Sequence, residues 1–169
     1  QGDLIATKGH IGMIKKMNRK LEFLFRKVEK LYAIYAPESS PQEVLDACWE
    51  DLLLNQFHDI IPGTSIQRVN QECLEQYYDI ESRLLSLESE GKKLQRKHQD
   101  FPSGDNLLVV ENDLSWSRND VLVTDLEGVF FDLAGNKLAS QKEEDGKTRI
   151  WVDEVPSMGW KAIKFEEKS

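Results

Sequence analysis

No apolar run in this chain approaches the ~20 residues that a membrane-spanning helix needs. The first residues also lack the basic-then-apolar layout of a signal peptide, so the expected compartment is cytoplasmic, although a cut inside a longer polypeptide would leave the same start. Basic charge is scarce: 22 Lys and Arg stand against 30 Asp and Glu, a net charge of −8. That balance argues against a nucleic-acid partner, because displacing counterions from a phosphate backbone takes a basic face. Cysteine is limited to Cys48 and Cys73, both inside apolar helical patterns. They read as small buried hydrophobes with free thiols rather than as a disulfide, consistent with a reducing compartment. There is no low-complexity segment and no internal repeat beyond a seven-residue periodicity.

What the chain does have is enough apolar material for a core. With 169 residues and 40% hydrophobic content, it can hold one domain of ordinary size or two small ones. Residues 1–10 carry Gly2 and Gly9 without a clear period and read as a linker or a fragment edge. His10 has no potential metal-ligating partner one turn on, where Ile14 sits. From Ile11 to Tyr35 the positions Ile14, Leu21, Val28 and Tyr35 recur every seven, interleaved with Met17, Leu24 and Leu31, which predicts a helix with one apolar seam. Ala36-Pro37 ends it, since a residue before proline is pushed out of the α region. Ser40-Pro41-Gln42-Glu43 restarts a helix, with Ser40 as cap and Glu43 closing a capping box. Val44, Leu45, Cys48, Trp49, Leu52 and Leu53 then follow at helical spacing. A third helix, from about Ser65 to Gln99, carries Ile66, Cys73, Ile80, Leu87 and Leu94 at seven-residue intervals, with Tyr77 and Leu84 on companion positions. Gly91 is expected to loosen its last turns, and His98 to lie exposed near the negative helix end. Three matching seams joined by short connections imply an antiparallel three-helix bundle.

Phe101-Pro102-Ser103-Gly104-Asp105-Asn106 marks a change of composition and gives domains of 1–105 and 106–169. Beyond it come short β-type runs, Leu107 to Val110, Val121 to Thr124, Val129 to Asp132, Lys137 to Gln141, Thr148 to Val152 and Lys161 to Phe165. Gly135-Asn136 and Asp145-Gly146 supply hairpin turns, the second read as type I′. The fold class is therefore α+β, a helical bundle followed by a small antiparallel β-sheet domain, a partial β-sandwich. Trp116, Trp151 and Trp160 could stack on a ligand, but at strand ends they read more readily as core.

The chain is organised around Leu52-Leu53-Leu54-Asn55-Gln56-Phe57-His58-Asp59-Ile60-Ile61-Pro62-Gly63-Thr64-Ser65. It starts as an apolar helical run, passes through an imidazole beside a carboxylate, and meets a Pro-Gly turn that stops the helix. Thr64 and Gln67 form a capping box for the next helix. Asn55, Gln56, Gly63 and Thr64 can shape this corner or contact a ligand. Glu50-Asp51 and Glu143-Glu144-Asp145 lack a catalytic geometry, because neighbours along a helix do not face one another and the second group sits at a hairpin tip.

The string WEDLLLNQFHDIIPGTSI, from Trp49 to Ile66, resembles the signature of glycoside hydrolase family 38, the retaining α-mannosidases. Three more segments resemble the same family in the same order: MIKKMNRKLEFLFRKVEKL its first middle-domain helix, ENDLSWSRNDVLV the entry to its β-domain, and VPSMGWKAIKF a later strand there. The resemblance implies a fragment holding the central helical domain and the start of a carboxyl-terminal β-domain. The partners it implies are the missing amino-terminal catalytic domain, the remainder of the β-domain, and a mannose-containing glycan of N-glycan type. Membrane and nucleic acid are not among them.

In such a family two carboxyls perform a double displacement through a glycosyl-enzyme, and both belong to the preceding catalytic domain, so no catalytic residue is assigned here. A divalent metal, typically zinc, touches the mannose hydroxyls. By its place in Phe-His-Asp, His58 matches the one metal ligand that the helical domain contributes, and Asp59 matches a neighbour that binds sugar hydroxyls. The fragment alone is expected to hold no metal and to be inactive. The competing reading is a non-catalytic helical interaction module with a β-appendage. The two differ over His58, which the first needs accessible beside Asp59 and the second permits to be buried.

Overall fold

A computed structural model describes residues 3–61, 66–102, 104 and 106–167, with the side chains of residues 3–11 and 67 outside that description. The chain divides into two compact units, Gln1–Gln99 and Asp100–Ser169. The class is α+β: three α-helices in the first unit and two small antiparallel sheets in the second. Among the described residues, no helix is long and apolar enough to cross a membrane.

The helices are α1 (Asp3–Tyr35), α2 (Gln42–Asn55) and α3 (Gln67–His98), with a 3-10 turn at Pro37–Ser39 between the first two. α1 thus begins well before Ile11. Gly9 lowers helix propensity by only about 1 kcal/mol and does not break hydrogen bonding as a proline would. The seam of α1 is buried from Ile14 to Leu31, joined by Phe25 and Tyr32, and it meets Leu45, Cys48 and Leu52 of α2 and Cys73, Tyr77, Ile80 and Leu84 of α3 in one core. Each such large side chain contributes about 1.5–3 kcal/mol relative to exposure. The ion pairs Lys20–Glu81 and Lys27–Glu88 bridge α1 to α3. Pairs of this partly exposed kind are worth at most about 1 kcal/mol each, so the seam holds the helices and the pairs fix their register. Both partners advance together along the chain, so α1 and α3 run parallel. α2 runs the other way: Trp49 stacks on Phe25 with ring centroids 4.0 Å apart, while Gln56, further on, reaches back to Asn18. Both thiols are buried and unpaired, and burial raises their pKa values.

Several local expectations are corrected. Ser40 does not cap α2: the helix starts one residue later, with Pro41 at the N-cap position accepting the first helical N–H groups and no side chain capping it. Val44 and Leu53 face solvent, so the apolar stripe of α2 is narrower than its spacing suggests. Ile66 is 69% exposed because it precedes α3 in an extended conformation and is out of phase with the helix. Thr64, and with it the proposed capping box, lies outside the described residues. Gly91 is buried and does not loosen α3. A Cβ there would meet Leu31 Cβ at 3.0 Å, so the missing side chain lets α3 approach α1 closely.

In the second unit, β1 (Leu107–Glu111), β6 (Trp160–Glu167) and β3 (Gly128–Asp132) form one sheet in the order β1-β6-β3. β2 (Arg118–Thr124), β5 (Thr148–Val155) and β4 (Ser140–Lys142) form the other in the order β2-β5-β4. Phe130, Ile163 and Phe165 of the first sheet pack with Ile150, Val152 and Val155 of the second in a shared core. Lys137 to Ala139 serve as the passage between sheets: Leu138 N–H bonds to Phe130 on one side, and the Ala139 carbonyl accepts from Trp151 on the other. This is why β4 starts only at Ser140.

Both hairpin turns close over three residues. Gly146 N–H bonds to the Glu143 carbonyl at 3.0 Å with Gly146 at φ +79°, and Gly135 repeats the pattern from Asp132 at φ +90°. This is a type I turn followed by a glycine bulge rather than type I′, since Asp145 does not adopt positive φ. Trp116 and Trp151 are exposed at 58% and 48%, which overturns their reading as core. Trp151 lies between Ile150 and Val152, whose side chains take the inner face, so alternation turns it outward. Trp160 is half-buried against Phe101.

Candidate functional site

α2 ends before its proline. The Asn55 amide donates to the Asp51 carbonyl one turn back at 3.0 Å and to Gln76 Oε1 of α3 at 2.6 Å, a side-chain competition that favours helix termination. The final N–H groups tighten onto nearer carbonyls, Gln56 to Leu53 at 3.1 Å and Phe57 to Leu54 at 3.3 Å. A further turn follows, with Ile60 and Ile61 N–H both aimed at the Phe57 carbonyl, at 3.0 and 3.4 Å. Pro62 and Gly63 lie outside the described residues.

The turn leaves Phe57, His58 and Asp59 on an exposed crest. The His58 side chain is 75% exposed and that of Asp59 58%, with Nε2 and Oδ2 3.6 Å apart. That separation is too long for a hydrogen bond, so the imidazole and carboxylate are neighbours rather than a locked pair. The Phe57 ring lies tilted against the imidazole at 4.2 Å between centroids. A neutral imidazole offers one nitrogen lone pair to a metal, and a carboxylate accepts several hydroxyl hydrogen bonds. Among the described residues, no group of three or more His, Cys, Asp or Glu side chains could hold a metal ion. His58 and Asp59 by themselves fall short of such a group.

The other candidates are placed elsewhere. His98 closes α3, exposed and 6.2 Å from the Tyr35 ring, while the His10 side chain is outside the described set. Asp145 is engaged within its hairpin. The Arg149 guanidinium and the Lys147 N–H hold its carboxyl below the usual range. Asn55 and Gln56 turn inward, Gln56 Nε2 donating to Asn18 Oδ1 at 3.1 Å and Glu22 Oε1 at 3.3 Å. Asn18 also accepts the Tyr77 hydroxyl at 3.1 Å, and burial pushes that phenol well above its ordinary pKa. No spacing in the sequence points to this polar layer behind the crest. Its only trace in the sequence is a polar Asn18 adjoining the seam residue Met17.

Residues 12–94 match the family model of the α-mannosidase middle domain. Human alpha-mannosidase 2C1 is 34% identical over 125 residues, 72% of this chain, and its mouse counterpart is 34% identical over 113 residues, 64% of the chain. The chain belongs to the glycoside hydrolase family 38 α-mannosidases. The match to the middle domain falls within the helical unit, and the His58 corner lies inside the matched range. The fold agrees with a glycosyl hydrolase family 38 protein from Enterococcus faecalis, at a TM-score of 0.67 and 15% identity over 93% of this chain. An α-mannosidase from Enterococcus faecalis V583 superposes equally well, with a TM-score of 0.67. The chain spans 12% of the human protein's length and 25% of the first Enterococcus chain.

Proposed function

We propose that this chain is the middle segment of a retaining, metal-dependent α-mannosidase that removes terminal α-linked mannose from oligosaccharides in the cytoplasm. In this reading residues 1–105 are a three-helix bundle and residues 106–169 the first part of a β-sandwich. A catalytic domain from the same polypeptide supplies both catalytic carboxyls and the other metal ligands. His58 would contribute one neutral imidazole to the metal. Bound there, the metal would orient and polarise sugar hydroxyls. Asp59 binds substrate by accepting hydroxyl hydrogen bonds, and being ionised it does so more strongly than a neutral acceptor.

The observation carrying this reading is the outward presentation of His58 and Asp59 on one crest. The reading needs both side chains accessible, and both are. Exposed Leu53, Leu54 and Phe57 around the crest fit a surface that another domain covers.

The test uses an aryl α-mannoside with added zinc. The full-length polypeptide should turn it over and its His58→Ala variant should not, while the 169-residue chain alone should be inactive. Robust turnover by the isolated chain, or full activity without the imidazole, would rule the reading out.

A further inference from the structure

The crest is held between two different anchors. On its amino side Gln56 turns its amide into the helices, donating to Asn18 Oδ1 at 3.1 Å and Glu22 Oε1 at 3.3 Å on α1. Those acceptors are themselves fixed: Asn18 Nδ2 donates to Glu22 Oε1 at 2.9 Å, and Asn18 Oδ1 also accepts the Tyr77 hydroxyl of α3 at 3.1 Å. On the carboxyl side Ile60 packs against the helical core, and its N–H closes the turn onto the Phe57 carbonyl at 3.0 Å.

The two anchors differ in what they fix. Apolar burial at Ile60 holds the segment down but is non-directional. The Gln56 amide donates in fixed directions to two acceptors, so it also sets the orientation of the backbone entering the crest. Its surroundings are half-buried, where such a hydrogen bond is stronger than in open water. A metal donor needs that control, because a productive coordination geometry tolerates only about 0.5 Å and 10–20°.

We infer that Gln56 is a positioning residue: through Asn18 and Glu22 it fixes the direction in which the His58 imidazole and the Asp59 carboxylate leave the chain. The value of that direction for catalysis rests on His58 being a metal donor. The positioning itself can be measured without any metal.

The test compares the chain with Gln56→Met and Glu22→Gln by nitrogen-15 relaxation and by ring-to-ring nuclear Overhauser effects between Phe57 and His58. Gln56→Met keeps the stem and removes both donors, whereas Glu22→Gln keeps a carbonyl oxygen for Gln56. In Gln56→Met the order parameters of residues 57–59 should fall from about 0.85 to below about 0.6, and the ring effects should vanish. The melting temperature should stay within a few degrees, and Glu22→Gln should match the wild type. In the full-length polypeptide Gln56→Met should weaken zinc binding about 10–100-fold, as loss of an outer partner does.

A crest as rigid in Gln56→Met as in the wild type overturns the inference, and so does a loss of order spread over all three helices. The full-length His58→Ala variant separates this inference from the donor reading. If it keeps its zinc affinity while Gln56→Met still frees the crest, the donor reading fails and the positioning stands. If it loses zinc while Gln56→Met leaves the crest rigid, the positioning fails and the donor reading stands.

Discussion

Two turns, one in each unit, use buried amide side chains to opposite ends. In the β-unit, Asn112 is 2% exposed; its Nδ2 is shared among the carbonyls of Trp116, Val155 and Pro156 at 2.7–3.2 Å, and its Oδ1 accepts the Leu114 N–H at 3.1 Å. Every polar atom of that side chain is spent on backbone, tying the turn after β1 to the turn after β5. At the end of α2, Asn55 and Gln56 are likewise turned inward, yet the residues directly after them stand exposed and carry an imidazole and a carboxylate. A saturated, buried amide is a knot in the fold. At the end of α2 the buried amides instead leave the imidazole and carboxylate that follow them in solvent.

The largest effect should come from cutting the knot. Asn112→Ala leaves buried carbonyls without a donor and should cost about 2–4 kcal/mol in a denaturant titration followed at the β-unit. A loss below about 0.5 kcal/mol would place Asn112 among ordinary turn residues and remove the contrast. A smaller effect should be seen at Glu88 in the helical unit. Burial works against its charge, but hydrogen bonds from Lys27 and Lys92 at 2.8 and 2.9 Å prevail and hold its carboxyl below the usual range. Its folded pKa being depressed, its contribution is complete above the ordinary glutamate range and fades as pH falls through the lowered value. Glu88→Gln should therefore flatten part of the acid limb of stability against pH, while an unchanged limb would show that the pairing is screened out. Smallest of all, His58→Ala should change stability by no more than about 0.5 kcal/mol, because the side chain it removes is already in water. A large loss there would make the corner a knot like the other.

Much of this fold is legible in the chain itself. Seven-residue spacing picks out Ile14, Met17, Leu21 and Val28, which are buried, and all six strands appear within a few residues of their expected places. What is not legible depends on partners distant in sequence. Alternation puts Trp151 on the face opposite Ile150 and Val152, but which face is inner is set by the packing of those two against Phe130, Ile163 and Phe165 of the other sheet. Gly91 reads as a weak point until Leu31 is seen lying against it. At the site, spacing and resemblance single out His58 and Asp59, but no local pattern pairs Gln56 with Asn18 and Glu22, more than thirty residues away.

The most direct measurement is the zinc affinity of the full-length polypeptide and of its His58→Ala variant, by competition with a chromophoric chelator. A first-coordination donor should cost at least about 100-fold on removal, at or beyond the upper end of what a lost outer partner costs. Equal affinity in the two proteins would contradict the assignment of His58 to the metal.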